Sequence, residues 1–135
     1  MEKTIFEKIV DGEIPCAKVY EDDSTLAFLD INPNSKGHTL LIPKKLYKDI
    51  YQLDENISAI MMKNVVKISK AIKKGLVCDG INIVMNNESS AGQIIFHAHI
   101  HIIPRYKNDG GYWNKKINYS ELEKEEIIKK ITENL

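Results

Sequence analysis

Apolar positions along the chain fall into two patterns, and each predicts a different kind of element. Ile57, Ile60, Met61, Val65, Ile68 and Ile72 recur at steps of three and four, which predicts a long amphipathic helix over Asp54 to Lys74. Asp54 is placed to cap its first turn, and Gly75 stands where a C′ glycine closes a helix. A shorter helical stretch covers Ile5 to Asp11, with Phe6, Ile9 and Val10 on its apolar side and Gly12 just after it. Ser120 to Glu133 predicts a charged final helix whose apolar contacts are Leu122, Ile127, Ile128 and Ile131. The other pattern is the short apolar run. It predicts strands at Lys18–Glu21, Thr25–Leu29, His38–Ile42 and Ile81–Met85, then a long strand from Ile94 to Pro104. Asp22-Asp23-Ser24 has the composition of a hairpin turn, and Asn32 to Gly37 reads as a loop. Five strands, hairpin-like joins and a helix crossing between strands predict an α+β fold with a mainly antiparallel sheet. The long helix must cover one face of that sheet, leaving the other free for chemistry.

At 135 residues the chain has the length of one domain. Its 19 basic residues balance its 19 acidic ones, so it lacks the basic excess that a sequence-independent grip on nucleic acid requires. A small anionic ligand remains open, because it needs only a few well-placed donors. The two cysteines, Cys16 and Cys78, form no C-x-x-C pair and no disulfide framework. The charged start Met1 to Lys8 lacks the apolar run of a signal peptide, and no segment approaches the ~20 apolar residues of a membrane span. A reducing, cytoplasmic setting is the expectation, with no membrane partner.

Three of the four histidines lie within five residues, in the run His97-Ala98-His99-Ile100-His101-Ile102-Ile103. On a strand this alternation would put three imidazoles on one face, rooted roughly 6.5–7 Å apart, while Ala98, Ile100 and Ile102 enter the core. Such a row could be a solvated strand face, although exposed strand positions usually favour Thr, Lys or Glu. It could also hold a metal, since histidines at i and i+2 can reach one zinc. A third reading is a set of groups grasping one phosphoryl centre. Neither cysteine lies nearby, and the nearest carboxylates, Glu88 and Asp109, sit in flanking loops. The preceding loop favours the phosphoryl reading. Asn86, Ser89, Ser90, Gly92 and Gln93 supply an amide, hydroxyls and a flexible backbone suited to approach an anion.

The histidine run fits the H-φ-H-φ-H-φ-φ signature, with φ apolar, and resembles the histidine-triad (HIT) superfamily. Further segments resemble its nucleotide-binding, Hint-like and bacterial Hit-like branch: Ile5-Phe6 through Gly12-Glu13-Ile14-Pro15, Tyr20 to Asp23, Leu26 to Pro33, and Gly37 to Lys44. The resemblance runs unbroken over about residues 4 to 107, leaving residues 108–135 as a C-terminal extension of a single HIT domain. It implies an α+β fold with a five-stranded antiparallel sheet, usually in a homodimer whose sheets join.

The same resemblance assigns roles by position. His99 resembles the nucleophile of a nucleotidyl-histidine intermediate, His97 and His101 its flanking partners, and His38 the upstream histidine. Asp30 looks like the carboxylate that takes the ribose hydroxyls. Phe6, Ile9, Ile14, Phe28, Ile31 and Leu40 look like a base pocket, and Asn86, Gly92 and Gln93 fall where the family contacts phosphate. Ile94 replaces a serine found in eukaryotic relatives, which leaves its backbone N–H and makes Ser89 or Ser90 the candidate replacement hydroxyls. Some bacterial relatives hold a structural zinc; here three of its four ligand positions read Thr4, Glu7 and Leu46, and only His97 remains, so no zinc or other cofactor is expected. Elementary chemistry agrees. A neutral imidazole is a good nucleophile near pH 7, and a second, protonated imidazole with backbone N–H groups can stabilise phosphoryl charge. The expected function is hydrolysis of purine nucleoside 5′-phosphoramidates. The alternatives are a Fhit-type dinucleoside polyphosphate hydrolase and a nucleotide-binding interaction module.

Overall fold

A computed structural model describes residues 2–111 and 116–135; residues 112–115 of the expected extension lie outside the described residues. Helix α1 (Ile5–Val10) is set by a capping box. The Thr4 hydroxyl accepts the Glu7 N–H, and the Glu7 carboxylate accepts the Thr4 N–H. Strands β1 (Lys18–Glu21) and β2 (Thr25–Leu29) form a hairpin. Its turn is held by one Asp22 oxygen, which accepts from the Ser24 and Thr25 N–H groups and the Thr25 hydroxyl. Strand β3 (Thr39–Pro43), helix α2 (Glu55–Leu76), strands β4 (Gly80–Val84) and β5 (Ile100–Arg105) and helix α3 (Glu121–Thr132) complete the chain. The five strands make one antiparallel sheet in the order β1-β2-β3-β5-β4.

Side-chain alternation sorts the sheet into two faces. Ala27, Leu29, Leu41 and Ile102 point to one side, where α2 covers them with Met61, Val65, Ile68 and Ile72. Leu26, Phe28, Leu40 and Ile42 point to the other, where only the short α1 contributes a buried residue, Phe6. β2 and β3 are therefore buried along their whole length. Because α1 is only six residues long, part of this second face stays uncovered. That gap becomes the cleft.

Three expectations are corrected. The long strand from Ile94 does not form; β5 begins at Ile100, and β3 pairs with it only from Thr39↔Ile102 to Leu41↔Ile100. Residues 94–99 are instead tied to the loop after β3. Gln93 donates to the carbonyls of Lys48 and Ile95, His97 donates to Pro43, and the Ala98 N–H donates to Tyr47. Second, Gly75 does not close α2, which continues to Leu76 and ends on Val77 in the left-handed region at φ 52°. Gly75 has a packing reason: a Cβ there would lie 2.3 Å from the Lys130 carbonyl oxygen of α3. Third, Leu122 does not contact the core and is exposed, whereas Ile127 and Ile131 are buried with the α2 cluster and Ile128 packs at its edge.

Candidate active site

The cleft on the second face has a volume of about 340 Å³. Its floor is apolar, made by Phe6 and Ile9 of α1, Ile14 beyond it, Phe28 of β2 and Leu40 of β3. Phe6 and Phe28 meet edge to face at 5.7 Å. Ile31 and Ile94 flank the mouth and are 81% and 87% exposed. Polar groups gather at one end: Asp30, Asn86, Gly92, His99 and His101. All twelve of these positions were expected from the sequence.

The imidazoles divide by their hydrogen bonds. His99 Nδ1 donates to the His97 carbonyl at 2.7 Å, so the remaining lone pair sits on Nε2. Its ring packs edge to face on Phe6 at 5.0 Å and lies 5.2 Å from the His101 ring. Burial pushes its pKa below the ordinary histidine value, outweighing the carbonyl bond and the Asp30 charge that favour protonation. At neutral pH His99 is thus an uncharged imidazole with a committed tautomer.

His101 is part of a chain of bonds that starts in the backbone. The Asn34 N–H donates to His38 Nδ1 at 3.0 Å, which puts the His38 proton on Nε2. That proton faces His101 Nδ1 at 2.9 Å, with an Asp30 oxygen 3.4 Å away. Once His101 accepts on Nδ1, its own proton is at Nε2. Burial holds both rings well below the usual histidine pKa. This differs from the protonated partner expected from chemistry alone: in the unliganded protein at pH 7 His101 is neutral. Asp30 completes the corner, its other oxygen accepting the Asn32 N–H at 2.9 Å.

Asp30, His38 and His101 bring three donor atoms within 4.8 Å of one another, the one such group among the described residues. It is a poor metal site. A metal would need the His38 Nε2 lone pair, and the Asn34 N–H on Nδ1 keeps the proton on Nε2.

Several expected residues stand behind the cleft and do not line it. His97 is fully buried. Its Nε2–H donates to the Pro43 carbonyl at 2.8 Å, and its Nδ1 faces the Thr4 hydroxyl at 3.1 Å. Its contribution is the carbonyl that orients His99. His38 is likewise fully buried and reaches the cleft only through His101 and Asp30. Gln93 is a loop brace, with its amide N–H groups on Lys48 and Ile95 and its oxygen on the Glu88 N–H. Ser89 and Ser90 form a 3-10 turn on the surface and do not line the cleft. Gly92 adopts φ 91°, a conformation that favours glycine, and sits close to Asn86.

The cleft also includes residues the sequence did not mark: Ile5, Pro15, Cys16, Leu29, Asn32, Ile95 and Lys116. Ile5 and Pro15 stood inside the opening motif and were recoverable from it. Lys116 carried no signal, because it lies beyond the run of recognised segments.

Comparison with known proteins agrees with this geometry. The family model described as HIT domain matches residues 11–108. An uncharacterized HIT-like protein of Methanocaldococcus jannaschii is 52% identical over 106 residues, covering 78% of this chain and 81% of that protein. Adenylylsulfatase HINT3 of Arabidopsis thaliana is 49% identical over 105 residues, 78% of this chain but only 53% of that protein. Adenosine 5'-monophosphoramidase hnt1 of Schizosaccharomyces pombe is 42% identical over 107 residues, 79% of this chain and 77% of that protein. Among solved structures, the Hit-like protein from Bartonella henselae superposes with a TM-score of 0.90 at 41% identity, covering 98% of this chain and 96% of that one. With the family model matched over residues 11–108 and relatives 41–52% identical over most of its length, the chain belongs to the HIT family.

Proposed function

We propose that this protein hydrolyses purine nucleoside 5′-phosphoramidates, adenosine derivatives foremost, through a nucleotidyl intermediate on His99 Nε2. The observation that carries the reading is the 2.7 Å bond from His99 Nδ1–H to the His97 carbonyl, which leaves a nucleophilic lone pair in a nucleoside-sized apolar cleft. In the first step a bond forms between Nε2 and the α-phosphorus while the phosphorus–nitrogen bond breaks. The electron pair leaves on the amine, which takes up a proton from solvent. The carbonyl then stabilises the cationic nucleotidyl-imidazolium. In the second step water attacks phosphorus, the Nε2–phosphorus pair returns to His99, and the water's surplus proton leaves to solvent. The His101 Nε2–H is suited to hydrogen-bond a phosphoryl oxygen in both steps.

Two relatives bear names that fit this class: adenosine 5'-monophosphoramidase and adenylylsulfatase. A volume of about 340 Å³ is at the small end for ligand sites and favours one nucleotide over a dinucleoside polyphosphate. The reading needs no metal. His97, the one remaining member of the zinc set, spends both ring nitrogens on Thr4 and Pro43, and Leu46 offers no donor. A homodimer fits the edge strand β4, whose Ile83 is exposed. No helix among the described residues is long and apolar enough to cross a membrane, and the balanced charge supports neither a membrane nor a nucleic-acid partner. A cytoplasmic place fits the unpaired thiols Cys16 and Cys78.

Turnover of adenosine 5′-phosphoramidate and of diadenosine tetraphosphate tests the substrate class. The phosphoramidate is expected to be the better substrate by kcat/KM, and H99N is expected to abolish its turnover. Preference for the dinucleotide would overturn the assignment. An H99N variant with full nucleotide affinity and an unchanged cellular phenotype would favour a binding module.

A further inference from the structure

The cleft has an electrostatic gap that the triad does not fill. Its imidazoles are neutral at pH 7, and beside them stands the Asp30 carboxylate. A nucleotide phosphate entering such a site would meet hydrogen-bond donors beside a negative charge. Among the described residues lining the cleft there is one cation, Lys116.

Lys116 lies beyond the segment matched by the family model, yet its backbone is held in place. The Ile117 N–H donates to the Pro33 carbonyl at 3.0 Å, fixing the returning chain against the loop that follows Asp30. Three residues later Ser120 opens α3 with a capping box, and α3 is anchored by buried Ile127 and Ile131 and by an ion pair between Lys36 and Glu123. Among the described residues no carboxylate lies within 4.0 Å of the Lys116 ammonium, so its charge is uncommitted. Its field reaches the catalytic end of the cleft. After burial, the main cause, Lys116 adds to the forces that keep His38 and His101 unprotonated.

We propose that Lys116 is a specificity-determining, substrate-binding residue whose ammonium pairs with the phosphate of a nucleoside 5′-monophosphate held in this cleft. The inference rests on the nucleotide reading above. It gives the C-terminal extension a function: the extension supplies to the site the positive charge that the HIT segment lacks.

Calorimetric titration of AMP and of adenosine into wild type, K116Q and K116R at pH 7.5 tests it. Wild type is expected to bind AMP more tightly than adenosine. K116Q is expected to lose about fivefold or more in AMP affinity while its adenosine affinity stays within about twofold. K116R is expected to keep most of the AMP affinity, because it restores the charge. AMP binding unchanged in K116Q would overturn the role of Lys116 and leave the nucleotide cleft standing. So would equal losses for AMP and adenosine, the signature of a structural residue. Wild type that binds neither ligand would overturn the nucleotide reading, and this inference with it.

Discussion

A buried neutral histidine has one proton to place on two nitrogens, and in three of the four rings here a backbone group makes the choice. His99 Nδ1–H meets the His97 carbonyl, His97 Nε2–H meets the Pro43 carbonyl, and His38 Nδ1 meets the Asn34 N–H. The His99 ring is therefore expected to have the tautomer opposite to that of the two rings behind it. Nitrogen-15 spectra at pH 7.5 should report His99 as the Nδ1–H form, and His38 and His97 as the Nε2–H form. Titration should place the His99 midpoint below 6.5, the direction set by burial. A His99 signal of the Nε2–H form would remove the lone pair from the position the chemistry needs. This level was only half legible in the sequence. The run His97, His99, His101 marked the cluster, but alternation treated the three as equals. Their different hydrogen bonds come from backbone atoms of residues 34, 43 and 97, whose positions depend on contacts remote in sequence.

Elements read well where local chemistry decided them, and poorly where another element did. Thr4, Asp54 and Ser120 cap their helices as their side chains dictate. The hairpin at Asp22 is likewise local. The strand expected from Ile94 failed because apolar alternation cannot reveal that His97 would bind the last residue of β3 and Gln93 the loop after it. Gly75 was misplaced because a glycine near a helix end has two explanations, and the packing of α3 supplies the second. The two explanations predict opposite signs for one substitution. A solvent-facing helical glycine gains about 1 kcal/mol on conversion to alanine. Here the added Cβ would press on the Lys130 carbonyl oxygen at 2.3 Å, a backbone atom that can move only with α3. Gly75→Ala is expected to destabilise the protein by about 1–3 kcal/mol in chemical denaturation. A stabilised variant would contradict the packing described here.

For the molecule as a whole, the sheet order brings β2, β3 and β5 side by side, so that Asp30, His38 and His101 converge although 71 residues separate the first from the last. The same convergence makes the fold acid-sensitive. All four histidines have pKa values lowered by burial. Above pH 6.5 they are neutral in both the folded and unfolded states, and their contribution is at its full value. Below that pH the unfolded chain takes up protons that the fold resists, so stability falls as pH drops, by at most about 1.4 kcal/mol per pH unit for each ring. Carboxylates with lowered pKa values, such as Asp22 and Asp109, add their losses only at more acid pH. Denaturant unfolding should therefore show lower stability at pH 5.5 than at pH 7.5, by up to about 1.4 kcal/mol for each ring that stays neutral in the fold. Equal stability at the two pH values would mean that the rings are solvated.

The antiparallel sheet and the long helix covering one face followed from the sequence, and the free face did carry the cleft. After residue 108 the final helix and its apolar contacts were legible from periodicity, but the return of Lys116 past Pro33 was not, because an irregular segment leaves no periodic trace.

The central claim is a covalent bond between His99 Nε2 and the phosphorus of a nucleotide, and the most direct measurement is to trap and map it. Rapid quenching of the protein with an adenosine 5′-phosphoramidate at pH 7.5, followed by mass spectrometry under conditions that spare phosphorus–nitrogen bonds, should place an adenylyl group on His99 and none on H99N. An adduct on His97 or His101, or turnover that persists in H99N, would contradict the account.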